Sequence, residues 1–247
     1  MKQNKYDDPA FFAGYGAMAR SVDGLEAAGE WPVLRAMLPD LSGKRVLDLG
    51  CGYGWHCRYA RAQGARAVLG IDLSEKMLAR AAAMTDDPAI EYRRAAIEDV
   101  DLPPESFDVV LSSLALHYVE RLDLTCRQIQ RCLVPGGAFV LSVEHPVFTA
   151  RAAQDWHYGP DGERLHWPVD DYQSEGERHV RWMVDDVVKY HRTVASILNA
   201  LIDAGLRIDR VAEPAPSPEM LARHPEMRDE SRRPIFLLVA TVKPSAP

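Results

Sequence analysis

Short apolar runs alternate with amphipathic stretches through the middle of the chain. Arg45 to Leu49, Ala67 to Ile71, Ile90 to Arg93, Phe107 to Ser112 and Ala138 to Val143 have the length and apolar content of buried strands. The segments Tyr53 to Gln63, Glu75 to Met84 and Asp123 to Leu133 are rich in helix formers. Gly64 stands where a C-cap belongs, Ser74 where an N-cap belongs, and Pro135-Gly136-Gly137 ends the third helix. Strands alternating with helices predict an α/β fold: a doubly wound, mostly parallel sheet with right-handed crossovers and helices on both faces.

The flanks obey other rules. Residues 1–40 are helical in character from Pro9 onward, with breaks at Asp23-Gly24 and at Gly29 to Pro32, and form an N-terminal cap. Residues 44–144 hold the regular alternation. In residues 145–190 the rhythm stops, and Trp156, Trp167, Trp182, Tyr158 and Tyr172 crowd together with Gly-Pro turns. A structureless stretch of that length in a compact domain is commonly a functional lid, so it is read as a lid rather than merely packed core. Over residues 191–247, Arg192 to Ala204 is a helix capped by Gly205. Leu206 to Val211 and Ile235 to Val242 follow as an antiparallel pair at the sheet edge. The whole is one domain with a sheet of about seven strands, the last one antiparallel.

Charge narrows the partners. A formal net charge of −7 disfavours a phosphate backbone, so no nucleic-acid partner is expected. No apolar run approaches the roughly 18 residues of a membrane span, and the start of the sequence lacks a signal core, so a cytoplasmic protein with no membrane partner is expected. Cys51, Cys57, Cys126 and Cys132 form no CxxC pair, and no metal site is expected. Monomer and homodimer are equally open.

The chemistry concentrates at Val46-Leu47-Asp48-Leu49-Gly50-Cys51-Gly52-Tyr53-Gly54. An apolar strand carrying an acid runs into alternate glycines, the mark of a turn where a ligand approaches backbone. A dinucleotide turn needs a third glycine where Trp55 stands, and the charge of Asp48 opposes a pyrophosphate. Asp72, at the tip of the second strand, is placed to accept hydrogen bonds from ribose hydroxyls.

This sequence, followed by Gly70-Ile71-Asp72-Leu73-Ser74, Phe107-Asp108-Val109-Val110 and Leu133-Val134-Pro135-Gly136-Gly137, resembles the class I S-adenosylmethionine-dependent methyltransferases, in their small-molecule, type 11-like subgroup. The resemblance is close from Lys44 to Glu144. It implies S-adenosylmethionine as cofactor, with Gly50, Cys51, Gly52 and Gly54 beneath its methionine and ribose parts. It also implies Asp48 toward the amino-acid end, Asp72 on the ribose, and Leu73, Met77, Ala96 and Ile97 around adenine. Ser113, Leu114 and His117 would lie along the methionine side, with Tyr15 and Arg20 capping the cofactor carboxylate.

Methyl transfer to a small oxygen or nitrogen acceptor is then the expected reaction, an in-line displacement that depends on alignment. Acceptors of low acidity need a base, for which His145 and His191 are the candidates and His117 a pocket wall. Ser112-Ser113-Leu114-Ala115 lacks the Asn or Asp, paired prolines and aromatic of DNA amino-methyltransferases, and Glu144 alone is too few ligands for a metal-assisted reaction. A cofactor-binding sensor or partner subunit without transfer is the alternative, and an NAD-dependent oxidoreductase stands third.

Overall fold

The structure is a computed structural model describing residues 3–223 and 225–245. Three short helices come first: α1 (Pro9–Gly16), α2 (Ala19–Val22) and α3 (Trp31–Met37). The alternating core follows as β1 (Arg45–Leu49), α4 (Trp55–Ala62), β2 (Ala67–Asp72), α5 (Glu75–Ala83), β3 (Ile90–Arg94), β4 (Phe107–Ser113), α6 (Leu122–Cys132) and β5 (Leu133–Glu144). A single turn, α7 (Pro146–Thr149), leads into β6 (His157–Tyr158), β7 (Arg164–His166), β8 (Gly176–Trp182) and β9 (Val184–His191). The chain closes with α8 (Val194–Asp203), β10 (Arg207–Ala212), α9 (Pro218–Arg223) and β11 (Phe236–Val242).

Seven strands form one sheet in the order β10-β11-β5-β4-β1-β2-β3. β1 to β5 run parallel, and β11 inserts antiparallel between β5 and β10. The period of two sorts each strand between faces. Leu47, Leu49, Val110, Phe139 and Leu141 pack toward α6 and α8, while Val46 and Val109 face α4 and Leu111 and Val140 face α3. Strand order reverses at β1 and β4, so their carboxyl ends open a crevice there.

The insertion differs from the structureless lid expected. It folds into two hairpins, β6 with β7 and β8 with β9, the second paired from Gly176–His191 to Trp182–Val184. Their strands carry many charged residues, so no apolar alternation announces them. The tip of the longer hairpin docks on the N-terminal segment. Val180, Val187 and Trp182 pack on Phe11, and Gln3 bonds to Asp186 O and Val188 N. Among the described residues, no helix is long and apolar enough to cross a membrane.

Candidate functional site

At the end of β1 the backbone turns through Gly50 (φ 78°) and Gly54 (φ 71°), both left-handed. A Cβ on Gly50 would run into the methyl of Ala115, and one on Gly54 into the hydroxyl of Tyr92. Gly50 N and Cys51 N both donate to Ile71 O at the end of β2, at 2.8 and 2.9 Å. Asp72 completes the tether: Oδ2 accepts from Gly52 N and Oδ1 from Ser74 N, each at 2.9 Å. The turn is thereby held against the tip of β2, with Ala115 and Tyr92 packed where side chains on Gly50 and Gly54 would stand.

A small open cleft lies over this turn. Of the residues expected at a cofactor site, it brings together Tyr15, Arg20, Gly50, Cys51, Gly52 and Ser113. Its remaining wall includes Ser21, Leu25, Tyr53, Trp55 and His56, which sequence reasoning missed. Trp55 entered that reasoning only as the residue displacing a dinucleotide glycine; its ring sits against Gly24, where a Cβ would collide with it. Ser21 Oγ and Trp55 Nε1 are buried without hydrogen-bond partners in the protein. Unpartnered polar groups at a cleft are what a polar ligand satisfies, and at Gly52 a side chain would have only the Tyr15 hydroxyl near it, so the backbone there is open to a ligand.

Arg20 is less free than expected. Its Nη2 donates to Glu30 Oε1 at 2.9 Å, and Glu30 is almost wholly buried with its other oxygen unpartnered. His56 is buried next to this pair; burial and the Arg20 charge lower its pKa to about 3, so it is neutral.

Asp48, which the resemblance implies toward the ligand's amino-acid end directly or through water, lies on the α4 side of β1, on the opposite strand face from Leu47 and Leu49. Cys57 Sγ donates to its Oδ2 at 3.3 Å, and Oδ1 is buried without a partner. Burial, aided by Asp72, pushes its pKa up to about 7 despite the Cys57 bond.

The other expected positions are not among the residues lining the cleft. Leu73 O accepts from Arg94 Nε, Met77 is buried in α5, and the methyl end of Ile97 approaches Gly50. Ala96 O caps the turn after β3. Leu114 takes a left-handed φ of 53° just past β4, where its N–H bonds Ser142 O. His117 is buried in the 3₁₀ turn Leu116–Tyr118, its Nδ1 accepting from Glu144 N at 3.4 Å. Burial, against the pull of Glu144, lowers its pKa to about 4.

The two candidate bases are not brought to the cleft. His145 caps α7, its Nδ1 accepting from Val147 N at 3.0 Å, while Nε2 meets Glu213 Oε1 at 2.7 Å. His191 is fully buried, with Nδ1 on Thr149 Oγ1 at 2.8 Å and Nε2 on Tyr172 O at 2.9 Å. With both ring nitrogens of each histidine engaged, these side chains hold the insertion against the core instead of offering a lone pair to a substrate.

An aromatic seam roofs the cleft. Tyr6 contacts Phe11, Tyr15, Tyr118 and Trp182 edge-on, and Tyr15 contacts Tyr53 in turn. Asp7, one residue along, accepts from Ser74 Oγ at 2.6 Å and Lys76 N at 3.0 Å, which fastens the N-terminal segment to the start of α5.

Comparison with known proteins agrees with this architecture. The methyltransferase domain family matches residues 47–141. An uncharacterized protein of Haemophilus influenzae is 33% identical over 98% of both chains. The crystal structure of an S-adenosylmethionine-dependent methyltransferase from Mesorhizobium loti is 50% identical, covering 89% of this chain and all of its own, with a TM-score of 0.84. The malonyl-[acyl-carrier protein] O-methyltransferase of Enterobacter lignolyticus is 38% identical over 44% of this chain, a match that spans 42% of that enzyme.

Proposed function

The chain belongs to the S-adenosylmethionine-dependent methyltransferase family, and we propose that it methylates an oxygen or nitrogen of a small organic acceptor. The observation that carries the placement of its site is the Asp72 clamp. One carboxylate holds the N–H groups of Gly52 and Ser74 at the mouth of a cleft where Ser21 and Trp55 still lack partners. Bound there, the cofactor supplies an electrophilic methyl group on a sulfonium sulfur.

The chain's own contribution is positioning. Asp72 keeps lone pairs for the ribose hydroxyls, and Gly50, Cys51, Gly52 and Gly54 let the ligand rest on backbone. Leu73, Met77, Ala96 and Ile97 border the adenine. Arg20, already oriented by Glu30, and the phenol of Tyr15 take the carboxylate end, with the Trp55 indole and Ser21 hydroxyl beside them. Ser113, Leu114 and His117 form the wall toward the acceptor, and the seam of Tyr6, Tyr15 and Trp182 excludes water.

An oxygen acceptor is favoured, because the Enterobacter lignolyticus relative is named an O-methyltransferase. A free small molecule also suits a chain of net charge −7 better than a nucleic acid does. The test is transfer of labelled methyl from S-adenosylmethionine across panels of small acids, alcohols, phenols and amines. Label appearing in nucleic acid or protein, with none in any small molecule, would overturn the reading.

A further inference from the structure

The position of Asp48 leaves one end of the cofactor without a receptor. An amino-acid zwitterion carries an ammonium beside its carboxylate, and an ammonium taken out of water needs an acceptor. Asp48 lies on the α4 side of β1, takes the Cys57 thiol, and is not among the residues lining the cleft.

Another acceptor stands in the cleft wall. His56, in the first turn of α4, is buried and lines the cleft. Its ring is set edge-on against Trp31, with centroids 5.3 Å apart. Among the described residues, neither of its ring nitrogens has a hydrogen-bond partner. The other buried histidines differ: His145 and His191 have both nitrogens engaged, and His117 has its lone pair occupied. Burial and the Arg20 charge lower the His56 pKa to about 3, so at neutral pH one ring nitrogen keeps a free lone pair.

The charges around His56 also suit a zwitterion. Arg20 lines the same cleft, and its guanidinium is matched to a carboxylate. Alone, that guanidinium would repel an ammonium bound next to the carboxylate. Glu30 removes the repulsion: it pairs with Arg20 at 2.9 Å, and its second oxygen is buried without a partner. Trp31, the residue after Glu30, is the ring that packs on His56. One short stretch of chain thus balances the arginine and orients the imidazole.

Building on the methyltransferase reading, we infer that His56 binds the cofactor's ammonium group by accepting a hydrogen bond from it, while Arg20 takes the carboxylate and Glu30 positions Arg20. The ammonium role that the resemblance implies for Asp48 falls to His56. The imidazole is then a specificity-determining group, because a ligand with the same adenosine but no amino group forfeits the bond.

The test is calorimetry on the full chain at neutral pH with S-adenosylhomocysteine, its deamino analogue, and methylthioadenosine, which lacks the amino-acid part. The unaltered chain is expected to bind S-adenosylhomocysteine about tenfold or more tighter than the deamino analogue, as a hydrogen bond to a charged group implies. His56→Phe keeps a ring against Trp31 and loses both nitrogens. It is expected to erase that preference while leaving methylthioadenosine affinity unchanged. His56→Gln, whose carbonyl is again an acceptor, should recover part of the preference. An equal loss for all three ligands would mark a merely structural histidine and overturns the inference, as does an unchanged preference in folded His56→Phe. Asp48→Asn carries the test should His56→Phe fail to fold: the preference survives if His56 is the receptor, and its disappearance returns the ammonium to Asp48. If the unaltered chain binds neither S-adenosylmethionine nor S-adenosylhomocysteine, the parent reading falls instead.

Discussion

Each oxygen of the Asp72 carboxylate accepts one backbone N–H, from Gly52 and from Ser74, which leaves each with acceptor capacity for a ligand. Hydrogen bonds to a charged group contribute about 1.5–3 kcal/mol. Asp72→Ala is accordingly expected to raise the S-adenosylmethionine dissociation constant about 10- to 100-fold. Calorimetry checks this, and an unchanged constant would remove Asp72 from the site. Asp48 makes a prediction about pH. Burial lifts its pKa from 3.8 to about 7, so between those values the folded chain binds a proton that the unfolded chain releases. Its favourable contribution is complete below pH 3.8 and is lost as pH rises toward 7. Asp48→Asn should therefore gain stability relative to the unaltered chain as pH goes from 5 to 7, by at most about 1.4 kcal/mol per pH unit. Urea unfolding at the two pH values measures it, and a pH-independent difference would contradict it. The position of Asp72 at the tip of β2 was legible from the apolar run before it. The side of β1 that Asp48 takes was not, because it depends on which face α4 covers.

Most strands and helices of residues 45–144 were legible nearly to their ends, since short apolar runs and caps such as Ser74 dictate them; Ser74 Oγ indeed accepts from Met77 N at 3.1 Å. The fifth strand is the exception: β5 starts at Leu133, five residues before Ala138, and takes in the Pro135-Gly136-Gly137 expected to lie before it. The helix after β1 starts later than expected, at Trp55, because Gly54 is left-handed and cannot join it. The hairpin β8–β9 was hidden. Its exposed positions are charged, including Glu177, Arg181, Asp185 and Asp186, and only Val180, Val187, Lys189 and His191 are buried. A strand stabilised by docking onto Phe11 and Tyr6 leaves little alternation to read. Trp182 is the hinge of that docking, with its ring 5.2 Å from Phe11 and edge-on to it. Trp182→Ala should lose about 3 kcal/mol of packing or more. Its signature would be faster amide hydrogen exchange over residues 3–16 and 176–191, with β1 to β5 unaffected. Equal acceleration throughout would show that the hairpin and core unfold as one unit.

At the scale of the molecule, the insertion and the core are joined by a buried ion pair between Lys189 in β9 and Glu144 at the end of β5. Burial raises the Glu144 carboxyl, but His117 and Lys189 outweigh it and hold it below the ordinary range. Lys189→Met strands that charge, and breaking such pairs costs about 3–5 kcal/mol. Adding Glu144→Leu should restore most of the loss, because a buried pair is often replaceable by apolar residues. Thermal unfolding of the two single variants and the double variant checks this, and simple additivity would mean that the pair does not couple insertion to core. The mostly parallel sheet and its antiparallel edge pair followed from sequence; this long-range pairing did not, since nothing local marks Lys189 as buried.

Tyr15 is at once a wall of the glycine cleft and a member of the seam that β8–β9 closes. One phenol ring therefore ties the hairpin tip to the cleft, so a substitution at residue 6 or 182 can reach the cleft through Tyr15 while the glycine turn stays as it is.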